Sequence, residues 1–412
     1  MKAIRIDPGM FVPQFASTKA AIDGVIADLL RWKADAAFVF AYSPIFGAYY
    51  KTAVRQAWGT SFLKNDDFLR KFAKAASAKG LKVVASYRLN HYEGAPALGG
   101  TAPVPFRPEW RMRIQRQVNG VHAPYLFHGY GVPIHPLSPY ARSADLTFAD
   151  WFQMLVTEAA AIPGLHGLEA CEGNVAEGAE GPGDMPDFHP DALASFRLQF
   201  PGIAPGGPEW RHDRSAGLTE LHARLRKAAH DRGLKAYVIH DLPASNDSLH
   251  AQTKALAAGT APANELERRL ELFHLGTYAD LTGFDWPAIQ QAGYDHHIVS
   301  AIWQQRRQDA CALGFAPALF SPQWPAVAAQ RFRQATGAAS VMSHVEITPW
   351  PASGANCPRL APTAHQVEAT IKQARANSSG VTIYSYDQLK QKNAQGKWVD
   401  NAYATAVRNA FV

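Results

Sequence analysis

Cysteine is scarce: Cys171, Cys311 and Cys357 stand far apart with no CxxC spacing, which argues against a disulfide framework and a cysteine-built zinc site. Long apolar runs are missing as well. No stretch approaches the roughly 20 residues that span a bilayer, and the opening MKAIRIDPGMFVP lacks the apolar core of a signal peptide. Membrane insertion is therefore not expected. Nor is there a basic block. The 41 Lys and Arg against 35 Asp and Glu leave a net charge of +6, but they are scattered singly, as on a solvated surface, and nucleic acid is not an expected partner. No GxGxxG or P-loop follows a strand, so the phosphate cradles of nucleotide folds are missing. HExxH and GxSxG are absent too, which disfavours a zinc hydrolase and a serine acyl-transfer site. Neither metal nor organic cofactor is expected.

What is present is material for a large core: 412 residues, 47% hydrophobic and 18% charged. A unit recurs in which an amphipathic helix ends in glycine and a short apolar strand follows. Thr18 caps a helix whose Ile22, Val25, Ile26, Leu29 and Leu30 share one stripe, leading into Ala36 to Ala41. Phe68, Leu69 and Phe72 mark the next helix, stopped at Gly80 before Leu81 to Tyr87. Leu218, Leu221 and Leu225 mark another, stopped at Gly233 before Leu234 to Ile239.

Strands of this kind, apolar throughout and hence buried on both faces, are expected at Ala3 to Ile6, Ala36 to Ala41, Lys82 to Ser86, Gly167 to Cys171, Lys235 to Ile239, Ala279 to Thr282, Ser340 to Val345 and Val381 to Ser385. Eight helix-linked parallel strands form a (β/α)8 barrel, also called a TIM barrel, here as one domain over residues 1–412. Phe315 to Phe320 would make a ninth strand, and a doubly wound open sheet is the rival architecture. Long βα loops follow the third strand (Thr101 to Asp145) and the fourth (Gly173 to Arg214). In a barrel such loops lie on the C-terminal side and build the binding cleft.

Function is then sought where polar residues end the strands. Carboxylates do so at Glu169 and Glu172, at Asp241, at Glu346 and at Asp387. Two carboxyl groups converging at one mouth are what glycoside hydrolysis requires, one to protonate the leaving oxygen and one to attack the sugar or activate water. Alternation puts Glu169 and Glu172 on opposite sides of their strand, and Glu172, being last, is favoured to oppose Glu346. Aromatic rings at the same ends, Tyr42, Tyr49, Tyr87, Trp286, Trp350 and Tyr386, are candidates for stacking on sugar rings, with filling of the core as the alternative reading. His240 beside Asp241 is a candidate hydrogen-bond donor to substrate, and a structural role is equally open.

These residues also carry a resemblance. ADAAFVFAYSPIFGAYY, AKGLKVVASYRLN, GLHGLEACEG and DFHPDALASFR followed by GPEWRHDR, together running from about Ala34 to Leu242, are similar to family-ten-like bacterial glycoside hydrolases and, more distantly, to the hydrolase barrels of biofilm-exopolysaccharide proteins. The resemblance implies a barrel that cleaves or binds a polysaccharide or oligosaccharide, with acids on the fourth strand and later strand ends. It departs from the large retaining superfamily in having Cys171, rather than Asn, before the fourth-strand acid. The expectation is an endo-acting hydrolase of a microbial polysaccharide, Glu172 serving as acid/base and Glu346 as nucleophile, with Asp241 and Glu169 as substitutes. A non-catalytic carbohydrate-binding barrel and a metal-dependent hydrolase or deacetylase are the alternatives. Export, to the periplasm or beyond and with the signal removed, is expected ahead of a cytoplasmic location.

Overall fold

The computed structural model describes residues 1–44, 46–54, 67–94, 108–116, 119–124, 127–129, 132–143, 145–171, 185–241, 286–300, 322–347 and 362–412. Within them eight parallel strands close into a barrel: β1 (Lys2–Ile6), β2 (Ala36–Phe40), β3 (Lys82–Arg88), β4 (Gly167–Cys171), β5 (Lys235–Asp241), β6 (His296–Ser300), β7 (Val341–Glu346) and β8 (Val381–Tyr384). Each strand lies beside its neighbours in sequence, and β8 returns to β1 through Lys2↔Val381, Ala3↔Thr382 and Ile4↔Ile383. A closed ring excludes the doubly wound sheet, which is open and reverses its strand order.

The sixth strand is a correction. It was expected at 279–282, and the ring is completed instead by His296–Ser300, paired Tyr237↔His296 on one side and His297↔Val341 on the other. Two leading histidines disguise it, yet both rings find partners: His296 stacks on Tyr237 with 4.6 Å between centroids, and His297 meets His240 at 2.9 Å. Residues 279–282 and the ninth strand considered at 315–320 lie outside the described residues.

Helices alternate with the strands: α1 (Thr18–Arg31), α2 (Phe68–Ser77), α3 (Phe148–Ala160), α4 (Pro208–His230), α5 (Trp286–Gln291), α6 (Trp324–Thr336), α7 (Ala364–Asn377) and α8 (Ala402–Phe411). The cap of α1 is Ser17, whose side chain accepts from the Ala20 N–H, one residue before the expected Thr18. Gly80 (φ +79°) and Gly233 (φ +68°) make the left-handed turns into β3 and β5, with open space where a Cβ would stand. Backbone conformation alone calls for glycine there. Among the described residues no helix is long and apolar enough to cross a membrane.

Side chains alternate between the barrel interior and the helix layer. Arg5 on β1 reaches Glu169 on β4, and Phe38 on β2 meets Tyr237 on β5 at 5.2 Å; neither pair of strands is adjacent, so both contacts cross the interior. The long loops after β3 and β4 fold together: Arg113–Gln115 pairs with His122–Pro124 from its own loop and with Met185–Pro186 from the other. Phe188, Ala192, Phe196 and Trp210 form a small core of their own. α4 already begins at Pro208, inside the stretch expected to be loop.

Candidate active site

The C-terminal ends of β1, β7 and β8 bring carboxylates to one mouth. β1 runs directly into Asp7, which is buried and caps the short helix Pro8–Phe11. Its Oδ1 accepts from the Gly9 N–H at 3.1 Å and from the Tyr49 hydroxyl at 2.9 Å. Burial pushes the Asp7 carboxyl above the usual carboxylate range and the Asp387 charge adds to this, against the opposing pull of Arg88, Tyr49 and the Gly9 N–H. Glu346 ends β7 with Tyr384 of β8 as its Cα partner and is buried. Asp387 follows β8 and is half-buried. Its two oxygens accept from the Ser385 hydroxyl (2.5 Å) and the Gln388 amide (2.8 Å).

Tyr384 stands among these groups. Half-buried, its hydroxyl has no hydrogen-bond partner among the described residues. Burial raises its pKa far above that of an ordinary phenol; the charges of Asp7, Asp387 and Glu346 add to the rise, and Arg88 acts against it. Arg88 ends β3 with its guanidinium carbon 4.4 Å from the centre of the Phe40 ring. Three carboxylates and one guanidinium, drawn from four strand ends, thus act on one hydroxyl. That arrangement is suited to binding a polyhydroxylated ligand and to moving a proton.

The residues expected from sequence divide. Glu346 and Asp387 are in this group; Tyr49 joins it through its hydroxyl bond to Asp7, but its ring is fully buried and offers no face to a sugar, which corrects the stacking expected of it. Glu169 lies deeper, fully buried inside the barrel, where Arg5 binds both its oxygens (2.8 and 2.5 Å) and the Ser86 hydroxyl adds a third bond at 2.5 Å. Asp241 is the last residue of β5, paired with Ser300, and its side chain lies outside the described residues. Glu172 and Trp350 lie wholly outside them.

Four more expectations are corrected. His240 faces the helix layer, with Nε2 2.9 Å from Nδ1 of His297 and its ring 4.6 Å from Phe332 of α6. Alternation forces this, because Tyr237, which meets Phe38 across the interior, and Ile239 take the other side of β5. Tyr87 also points outward, its hydroxyl donating to that of Tyr50, which donates in turn to the Leu155 carbonyl of α3. Tyr42 packs on Tyr92 and Trp151, and Tyr386 packs on Phe11 and Trp32 while donating to Asp28 of α1. All four are 1% exposed or less, so no ring face is offered to a sugar. Trp286 opens α5 and precedes the sixth strand instead of following it.

Sequence reasoning passed over Asp7, Arg88 and Tyr384. For Asp7 the signal was there: IRIDPG is an apolar strand ending in a carboxylate, the feature sought on the other strands.

No protein-family model matches the chain, and no curated protein matches it in sequence. Solved structures do match in fold. The glycoside hydrolase domain of PgaB (BpsB) from Bordetella bronchiseptica superposes with a TM-score of 0.61 at 12% identity, covering 100% of this chain and 98% of that one. The β-galactosidase of the psychrophilic Marinomonas ef1 gives 0.59 at 10% identity, and that of the Antarctic haloarchaeon Halorubrum lacusprofundi 0.59 at 12%. Each covers the whole of this chain, which spans 59% and 57% of the respective enzymes. The chain thus has a (β/α)8 barrel fold similar to that of these structures.

Proposed function

We propose that this chain is a glycoside hydrolase acting outside the cytoplasm, endo-acting on a microbial polysaccharide, with Glu346 as one member of its carboxylate pair. The observation that carries the reading is that the ends of β1, β7 and β8, neighbours in the ring, bring Asp7, Glu346 and Asp387 to the C-terminal mouth, the end of the barrel at which such enzymes work. The fold neighbours named for glycosidase activity add support. Glu346 serves as nucleophile or as the base that activates water. Glu172, which follows β4 in sequence, and Asp241, the last residue of β5, remain proposed members of the site. Glu169 is better suited to the scaffold, because Arg5 and Ser86 already engage both its oxygens. A non-catalytic binding barrel drew its case from stacking aromatics, and burial of Tyr42, Tyr87 and Tyr386 weakens it.

The test is reducing-end release from a panel of bacterial and plant polysaccharides by wild type and by Glu346→Gln, with folding checked by circular dichroism. A fall of about 10²–10⁴-fold in the folded variant is expected, the usual size of an acid–base contribution. An undiminished rate removes Glu346 from the pair. Binding without cleavage by wild type, on every glycan tried, would replace the hydrolase by a binding protein. The anomer first released distinguishes retention from inversion.

A further inference from the structure

We infer that Asp7, at the end of β1, is the proton donor to the glycosidic oxygen; this rests on the glycosidase reading above. Its position directly after the first strand places it beside β8, whose Tyr384 is flanked in turn by Glu346 of β7. Both of its hydrogen bonds land on a single oxygen: Oδ1 accepts from Tyr49 and from Gly9, and Oδ2 accepts none from a described residue. A carboxyl clamped this way holds its C=O toward the protein and keeps the other oxygen to carry a proton. Burial favours the protonated form: it raises the Asp7 pKa, Asp387 adds a little, and Arg88 from β3 with the Tyr49 and Gly9 donors limits the rise. Glu346, at the end of β7, is the second carboxyl that a two-carboxylate site needs beside a proton donor.

In the reaction the C1–O bond breaks with its electron pair passing to the leaving oxygen, which takes the proton from Asp7 Oδ2. Glu346 attacks C1 or accepts a proton from the attacking water. In either course one water is consumed, its hydroxyl ending on C1 and its proton on the carboxylate pair. No other reactant is needed.

Asp7→Asn keeps an amide oxygen for both clamping donors and removes the acid. The experiment compares wild type, Asp7→Asn and Glu346→Gln on the cleaved polysaccharide and on phenyl and 2,4-dinitrophenyl glycosides of glucose, galactose and N-acetylglucosamine. Dinitrophenolate leaves without protonation. Asp7→Asn is therefore expected to lose about 10²–10⁴-fold on polysaccharide and phenyl glycoside, to stay within about tenfold of wild type on the dinitrophenyl substrate, and to lose the alkaline fall of the pH–rate profile. Tyr49→Phe deletes a bond that favours the ionised form, and its alkaline limb is expected to move to higher pH. Equal losses by Asp7→Asn on all substrates, or no loss on any, would overturn the role while leaving Glu346 and the glycosidase reading standing. A wild type inert on every substrate sinks both. Carboxyl ¹³C titration of wild type against Asp7→Asn gives a check without substrate: the missing resonance is expected to titrate above about 4, the ordinary aspartate value, and a midpoint there or below overturns the proposal.

Discussion

Arg5 and Glu169 face each other inside the barrel, 2% and 0% exposed, with a bidentate contact that satisfies both carboxylate oxygens. Neither charge has water to return to. Removing one partner strands the other, a change that costs about 3–5 kcal/mol, whereas replacing both with apolar residues of similar volume is often close to neutral. Glu169→Leu is accordingly expected to lower the urea midpoint sharply, and Arg5→Met/Glu169→Leu to recover most of it. A double variant no more stable than the single one would mean that the pair has no part in the loss. The same pair illustrates what a sequence withholds at this scale. Glu169 was visible as a strand carboxylate, but its partner sits 164 positions away on another strand. Without Arg5 in view, a buried structural charge and a catalytic one look alike.

At the scale of elements, the outer faces of β5 and β6 meet α4 and α6 through histidines as well as aliphatic side chains. His222 of α4 bonds the Tyr294 hydroxyl at 3.0 Å, and His240 and His297 bond one another beneath Phe332. Burial lowers the pKa of His222 to about 3, and burial with the nearby His296 lowers that of His297 to about 4; His240 moves in the same direction for the same reason. These rings are neutral in the folded chain and take up protons in the unfolded chain below about 6.5, the ordinary histidine value. The unfolded state then binds more protons, so stability present above pH 6.5 is lost as pH falls toward 4. Urea midpoints measured across that window are expected to fall steadily, with a shallower slope in His222→Gln; a flat profile would contradict the assignment of neutral buried rings. This layer also explains why β6 was misplaced. Its histidines read as polar positions along the chain, and only the neighbouring α4, β5 and α6 make them interior.

For the whole molecule, ring closure is the decisive event. β1 and β8 are the first and last strands of the barrel, and their pairing converts two open edges into none. Without β8, both β1 and β7 would present unpaired backbone, a template for aggregation. A chain ended after Gly380 is expected to lose α8 and β8 together and to accumulate as insoluble or unfolded protein, as solubility and circular dichroism would report. A soluble, helical product would show that the remaining strands close without them. Closure also makes the mouth, since it puts Asp7 beside Tyr384 across 377 positions of sequence.

By itself the sequence determined the class of fold, the alternation of helix and strand, seven of the eight barrel strands and the end of β7 at which Glu346 stands. Apolar runs, helical stripes and left-handed glycines are local consequences of backbone burial and chain direction, and they can be read one window at a time. Tertiary structure alone decided that His240 and Tyr87 face the helices, that Glu169 is held by Arg5, that His296–Ser300 closes the ring, and that Asp7, Arg88 and Tyr384 share the mouth. Each depends on which side of a strand meets which distant neighbour. Strand register and barrel closure set those pairings, and no local stretch of the chain encodes them.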